Sequence, residues 1–132
     1  MKNLDYLVEC NFTYRMDTLD PRYTCHEKYE LFLLLDGNVS MLINSERYPL
    51  RRGSLVLLAC DDWHISINES NQPYNRITMH FDPSIIQMFN TERSNLLECF
   101  ARMKKEHKYI IQITEDEIER YQNNARQIAV LW

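Results

Sequence analysis

Two glycines in 132 residues leave no glycine-rich stretch to cradle a phosphate, which excludes the common nucleotide-binding loops. The four cysteines, at positions 10, 25, 60 and 99, include no C-x-x-C pair, so neither a zinc ribbon nor a dense disulfide framework is written into the chain. Reduced, mostly buried thiols are the expectation. No apolar run approaches the roughly 20 residues needed to cross a bilayer, and Met1–Asp5 lacks the apolar core of a secretory leader. A cytoplasmic protein without membrane association follows, and the N-x-[ST] triplets at Asn11, Asn38 and Asn68 are then chance matches. An excess of basic charge is missing as well. Fifteen Lys and Arg against 19 Asp and Glu give a net charge of −4, which argues against nucleic acid as a direct partner of this segment.

What the chain does have is a hydrophobic fraction of 45% and enough length for one domain with its own core. Residues 1–82 read as strands and turns preceded by an N-terminal arm at about residues 1–12. Leu31–Leu35 is a continuous apolar run, the signature of a strand covered on both faces. Asp36-Gly37 is a strong hairpin signal leading into Val39–Ile43. Asn44-Ser45 makes another turn, Arg47–Leu50 a short strand whose Pro49 suits an edge, and Arg51-Arg52-Gly53 a turn into Leu55–Leu58. Strands near Ile65–Glu69 and Arg76–Phe81 flank the polar loop Ser70–Pro73. So many short strands indicate a sandwich or barrel.

The pattern changes at Asp82-Pro83, a cap followed by proline at the first helical position. Residues 83–132 read as two helices. The first carries Leu96, Phe100 and Met103 and ends in the basic run 104–108, which suits the negative end of the helix dipole. The second opens with a capping box, Thr114 and Glu117, flanked by Ile113 and Ile118 as a hydrophobic staple. Its apolar residues Ile118, Tyr121, Ala125, Ile128 and Trp132 are spaced 3, 4, 3, 4, a short coiled-coil-like seam that predicts a homodimer contact. The seam is still running at Trp132, so a further segment of protein is expected beyond it.

Two spaced polar signatures carry the chemistry: His26-x3-Glu30-x6-Gly37 and Gly53-x10-His64-x3-Asn68. They resemble the two cupin motifs, with Thr24, Ala59 and Asp61 departing from the usual residues. The resemblance implies a cupin (jelly-roll) β-barrel open at one end to a pocket, followed here by two C-terminal α-helices. A narrower similarity covers most of the chain. Tyr29–Gly37, Glu46–Leu58, Asp62-Trp63-His64 and Pro73–Pro83 are similar to the sensor domains of AraC-type transcription regulators. That likeness implies an effector-binding and dimerisation domain rather than an enzyme. The effector would be a small polar molecule, a sugar being the expectation, and DNA would be bound only through a C-terminal helix-turn-helix domain outside this segment.

His26, Glu30 and His64 form a two-histidine, one-carboxylate set that would suit a divalent transition metal. A metal-dependent cupin enzyme, an isomerase or dioxygenase, is therefore the alternative function. Against it, Thr24 replaces a histidine ligand, and four residues of straight strand span roughly 13 Å, too far for His26 and Glu30 to share one ion unless the chain bends. A cofactor-free pocket asks less. His26 and Glu30 on one strand, His64, Ser66 and Asn68 on another, Trp63 at the mouth, and Arg76 and His80 on the last strand are the candidate ligand contacts. On that last strand the opposite face, Ile77, Met79 and Phe81, is equally eligible to point inward, and a hydrogen-bonded core role is the simplest reading of His80.

Overall fold

The computed structural model describes residues 8–15, 28–82, 84 and 96–131. Eight strands are seen there: β1 (Val8–Arg15), β2 (Tyr29–Asp36), β3 (Val39–Ile43), β4 (Glu46–Pro49), β5 (Ser54–Leu58), β6 (His64–Asn68), β7 (Tyr74–Phe81) and β8 (Ile110–Gln112). Two helices, α1 (Leu96–Lys105) and α2 (Glu115–Leu131), flank β8. The strands make two antiparallel sheets, ordered β1-β7-β2-β5-β8 and β4-β3-β6. This is the jelly-roll sandwich that the strand pattern and the motif resemblance pointed to. Among the described residues no helix is long and apolar enough to cross a membrane.

The main core lies between the sheets. Phe32, Leu34, Val56, Leu58 and Tyr74 from the larger sheet meet Val39, Met41 and Ile43 from the smaller one, with Leu50 and Tyr109 closing the sides. Each such side chain contributes about 1.5–3 kcal/mol by leaving water. The alternate residues of β2, Leu33 and Leu35, face the other way and are covered by α2 through Ile118 and Ala125. Leu31 faces the same way and packs in the cluster formed with Phe81 and Phe100 of α1. The unbroken apolar run of β2 is thus the signature of a central strand buried on both faces, as expected.

The Asp36-Gly37 hairpin is corrected. β2 pairs with β5 and β7, whereas β3 pairs with β4 and β6, so the turn carries the chain from one sheet to the other. Glycine is required there for a different reason. Gly37 sits at φ +127°, and a Cβ would overlap Tyr74 Cβ and lie 3.1 Å from its Cα. The true two-residue hairpin is Asn44-Ser45, both at positive φ (48° and 75°), the dihedral sign of a type I′ turn. Pro49 lies on the edge strand β4, as its missing N–H demands. Of the arm expected at about residues 1–12, residues 8–12 lie in β1, which pairs along its whole length with β7, and residues 1–7 lie outside the described residues.

Asp82 Oδ1 accepts the N–H of Ser84 at 2.9 Å, the bond expected of a cap at Asp82; residues 85–95 lie outside the described residues. At the end of α1, His107 takes φ 55°, its N–H reaches Lys104 O (3.1 Å), and Lys108 N–H reaches Met103 O (2.8 Å). That is a Schellman cap with histidine where glycine is commoner. The α2 capping box is present as predicted: Glu117 N–H donates to Thr114 Oγ1 (3.3 Å) and Thr114 N–H to Glu117 Oε1 (3.2 Å). Arg52 then clamps this helix start, with Nε and Nη2 on the two oxygens of Glu115 (2.9 and 3.0 Å) and Nη1 on the carbonyl of Leu35 (2.7 Å). Gly53, at φ +86°, lets that turn approach the helix: a Cβ there would sit 2.8 Å from the Ile113 carbonyl and 3.2 Å from Ile118.

The seam of α2 is spent largely inside the molecule. Ile118 is 2% exposed and Ala125 0%, both packed on the outer face of the larger sheet, with Tyr121 beside them. A 3-4 apolar spacing signals a buried face, and here the sheet of the same chain supplies the cover for these residues. Ile128 is only partly buried, and Trp132 falls outside the described residues. Of the cysteines, Cys60 is partly buried and Cys99 exposed, both free thiols, so the expectation of buried thiols fails at Cys99. The side chains of Cys10 and Cys25 are outside the described set.

Candidate functional site

Strand β7 lies antiparallel to β2 in a register that sets His80 opposite Glu30, Thr78 opposite Phe32 and Arg76 opposite Leu34. Because Phe32 and Leu34 belong to the inter-sheet core, this register settles which face of β7 points inward. It is the Arg76, Thr78 and His80 face; Ile77 and Met79 lie under α2 instead. From the opposite sheet, His64 at the start of β6 projects toward the same end of the barrel.

Three groups converge there. Glu30, 6% exposed, accepts from Nε2 of His80 through Oε1 and lies 3.4 Å from Nε2 of His64 through Oε2. His64, 7% exposed, has its other ring nitrogen 3.0 Å from the backbone carbonyl of Asp62. A carbonyl only accepts, so Nδ1 carries a hydrogen; an ionised carboxylate only accepts as well, so Nε2 carries one too. The surroundings therefore favour the imidazolium form of His64. Burial pushes its pKa down, but the hydrogen bond and charge of Glu30 outweigh that and raise it above the ordinary value. Glu30 mirrors this: burial pushes its carboxyl up, yet the hydrogen bonds from His64 and His80 hold it well below the usual carboxylate range.

The sign of the pH dependence follows. A lowered Glu30 pKa contributes stability that is present above about pH 4.3 and is lost only in strong acid. A raised His64 pKa contributes stability that is full below about pH 6.5 and is lost as pH rises through the folded value. Thermal melts of the wild type should therefore fall from pH 6 toward pH 9 more steeply than those of His64→Gln. Parallel curves for the two proteins would remove this assignment.

Deeper in the barrel, the Arg76 guanidinium lies 5.3 Å from the ring centroid of Phe32 and 5.9 Å from that of Tyr74, within cation–π range. Ser66 is buried midway along β6. Asn68 faces the same way but is diverted to the β6–β7 loop: its amide donates to Gln72 O (2.8 Å) and its oxygen accepts from Ser70 N–H (3.1 Å). Trp63 is 51% exposed beside the mouth. His26 lies outside the described residues, and Thr24 with it. So the structure brings together Glu30, His64 and His80, keeps Arg76 and Ser66 along the same interior, and sets Asn68 apart. Thr78, placed by the sequence between Arg76 and His80 but left out of the candidate contacts, shares the inward face of β7 and is buried. Sequence reasoning missed Asp62, Asn44 and Tyr109, which brace the loop before His64. The only available signal was that Asp62 and His64 are two residues apart.

Among the described residues no group of three or more His, Cys, Asp or Glu is disposed to hold a metal ion. His26, a member of the expected metal set, lies outside the described residues.

The two-sheet barrel with a buried polar cluster at one end defines a cupin. Its neighbours among solved structures agree. A Cupin 2 conserved barrel domain protein from Salinispora arenicola superposes with TM-score 0.55 at 16% identity over 67% of this chain and 75% of that one. ToxT from Vibrio cholerae O395, solved bound to (E)-4-(8-methylnaphthalen-1-yl)but-3-enoic acid, gives TM-score 0.66 at 14% identity, over 92% of this chain. Salicylate 1,2-dioxygenase from Pseudoaminobacter salicylatoxidans gives 0.51 at 19% identity over 62% of this chain. The chain spans 48% of the ToxT chain and 24% of the dioxygenase. At these identities the likeness concerns the fold. No curated protein matches the chain. The AraC-like ligand-binding domain family matches residues 9–129, nearly the whole sequence, and the chain belongs to that family.

Proposed function

We propose that this is the effector-sensing domain of a cytoplasmic, homodimeric AraC-type transcription regulator, acting on DNA through a helix-turn-helix domain outside this segment. The observation that carries the reading is the convergence of Glu30, His64 and His80 inside the barrel of a chain in the AraC-like ligand-binding family. These groups, with Arg76 and Ser66, offer donors and acceptors beside apolar walls, the composition expected of a small-molecule site. To act as a signal, the effector must bind one arrangement of the domain more tightly than another.

A carbohydrate is the effector that the family resemblance suggested, with the exposed Trp63 available to stack on a sugar ring. A second reading has its own support. Imidazolium His64 and Arg76 over two aromatic rings suit an organic anion with an apolar body, as ToxT was solved with an aromatic acid. Thermal-shift binding to panels of neutral sugars and of amphipathic carboxylic acids separates the two. A stabilising compound whose effect is lost in Arg76→Ala assigns the acid; one that survives Arg76→Ala but fails in Trp63→Ala assigns the sugar. If neither panel stabilises the protein while elemental analysis finds near-stoichiometric metal, the enzyme alternative replaces both.

The dimer contact is proposed to use the end of α2, through Ile128 and Trp132, because Ile118 and Ala125 are occupied by the sheet. Sedimentation of Ile128→Asp should report a monomer, and an unchanged dimer would remove Ile128 from the interface.

A further inference from the structure

Next to the barrel site, but distinct from it, a cluster of polar groups is centred on the buried Asp62. Its side chain is 1% exposed and every contact it makes is compensated. Oδ2 accepts the N–H of Ala59 at 2.8 Å, and Oδ1 accepts Asn44 Nδ2 at 2.9 Å. Lys104, in the last turn of α1, brings Nζ to 3.6 Å from Oδ1 and pairs with Asp61 beside it. Asn44 in turn holds the neighbouring residue by two bonds, its N–H to Trp63 O (2.7 Å) and Trp63 N–H to its Oδ1 (3.1 Å). The same Asn44 amide reaches the hydroxyl of Tyr109 at 3.3 Å, just after α1. Through its backbone, Asp62 also accepts Nδ1 of His64.

One residue therefore touches the barrel site with its carbonyl and α1 with its carboxylate. Residues 59–62 form a closed turn, with Asp62 N–H on Ala59 O at 3.1 Å, so the carbonyl and the carboxylate cannot move independently. A buried carboxylate tolerates few arrangements, because each lost partner leaves a desolvated charge uncompensated. Among the described residues the other hold on α1 is apolar and non-directional: Phe100 against Tyr29 and Phe81, with Met103 beside them. Lys104 is the directional tether among them.

We infer that the His64–Asp62–Lys104 chain of contacts couples the state of the barrel site to the position of α1. This rests on the sensing role proposed above for the same site: a ligand that pulls His64 toward itself would draw on Asp62 and so on Lys104. A purely structural clamp would hold the same loop without transmitting anything to the helix.

Amide hydrogen exchange of the whole chain separates these, with α2 as the internal reference for global stability. His64→Gln should speed exchange of the α1 amides Phe100–Lys105 about 5-fold or more relative to α2. In a Lys104→Met background, which removes a part-exposed charge without burying anything, the same His64→Gln change should add nothing further. Ile67→Val, on the same strand but facing away from the barrel site, should leave α1 unaffected. Should His64→Gln not fold, reciprocity supplies the test: Lys104→Met must shift the ring resonances of His64, and Lys105→Met must not. The inference is overturned if His64→Gln leaves α1 exchange unchanged, if the effects of His64→Gln and Lys104→Met simply multiply, or if Ile67→Val moves α1 as much. The readout uses no effector, so a silent link would leave the sensing role standing, and a missing effector would leave the link standing.

Discussion

Replacing Glu30 with Ala should lower the unfolding free energy by about 3–5 kcal/mol, because it removes the buried carboxylate that two imidazoles share inside the barrel. For a domain of this size that is a fall in Tm of roughly 10–20 °C. Glu30 is held in place from both sheets, by His80 in register on β7 and by His64 from β6. Glu30→Gln keeps the shape and one acceptor, so its cost should be clearly smaller. Adding His64→Gln to Glu30→Ala should give back part of the loss, because the uncompensated charge leaves with its ring. Urea unfolding of the four proteins measures all of this. A Glu30→Ala protein as stable as the wild type would show that the cluster carries no weight in holding the barrel closed.

Gly37→Ala should be nearly as damaging, by about 2–6 kcal/mol. About 1–3 of that is backbone strain at φ +127°. A further 1–3 is overpacking of the new methyl against Tyr74. The side chain of Tyr74 stands in the inter-sheet core and under the Arg76 guanidinium, so any retreat is felt inside the barrel. The variant should therefore lose effector binding as well as stability, which Gly53→Ala, on the α2 side of the molecule, should do to a lesser degree. A Gly37→Ala protein with unchanged melting temperature would contradict the close approach of the turn to Tyr74.

The sequence was legible where a signal is local. The Thr114–Glu117 capping box, the Asn44-Ser45 turn, the edge position of Pro49 and the doubly covered strand Leu31–Leu35 depend on residues within a few positions of one another. It was less legible where the outcome depends on a distant partner. Asp36-Gly37 reads as a hairpin because the two strands are adjacent in sequence, yet β2 pairs with strands 22 to 52 residues away and β3 belongs to the other sheet, where β6 lies 21 to 29 residues away. β8 is only three residues long and has no periodicity to detect; its pairing to β5 defines it. The α2 seam shows the same limit, since a 3-4 spacing states that one face is covered and not by what. At the site, Glu30 and His64 could be singled out by the motif spacing. The part played by His80 needed the β2–β7 register, which sets it directly across from Glu30.

The pair of signatures thus marks a real convergence, built from three strands and two sheets, in which the Glu30 carboxyl is held well below its usual range and the His64 imidazole is raised above its own. Its central use, in this account, is to hold an effector. The most direct test is a heteronuclear NMR titration of the chain with whichever compound the binding panels retain. The account predicts saturable shifts on Glu30, His64, Arg76 and His80, with the compound's own signals intact over hours. Shifts confined to the outer face of α2, or a compound that is consumed, would contradict it.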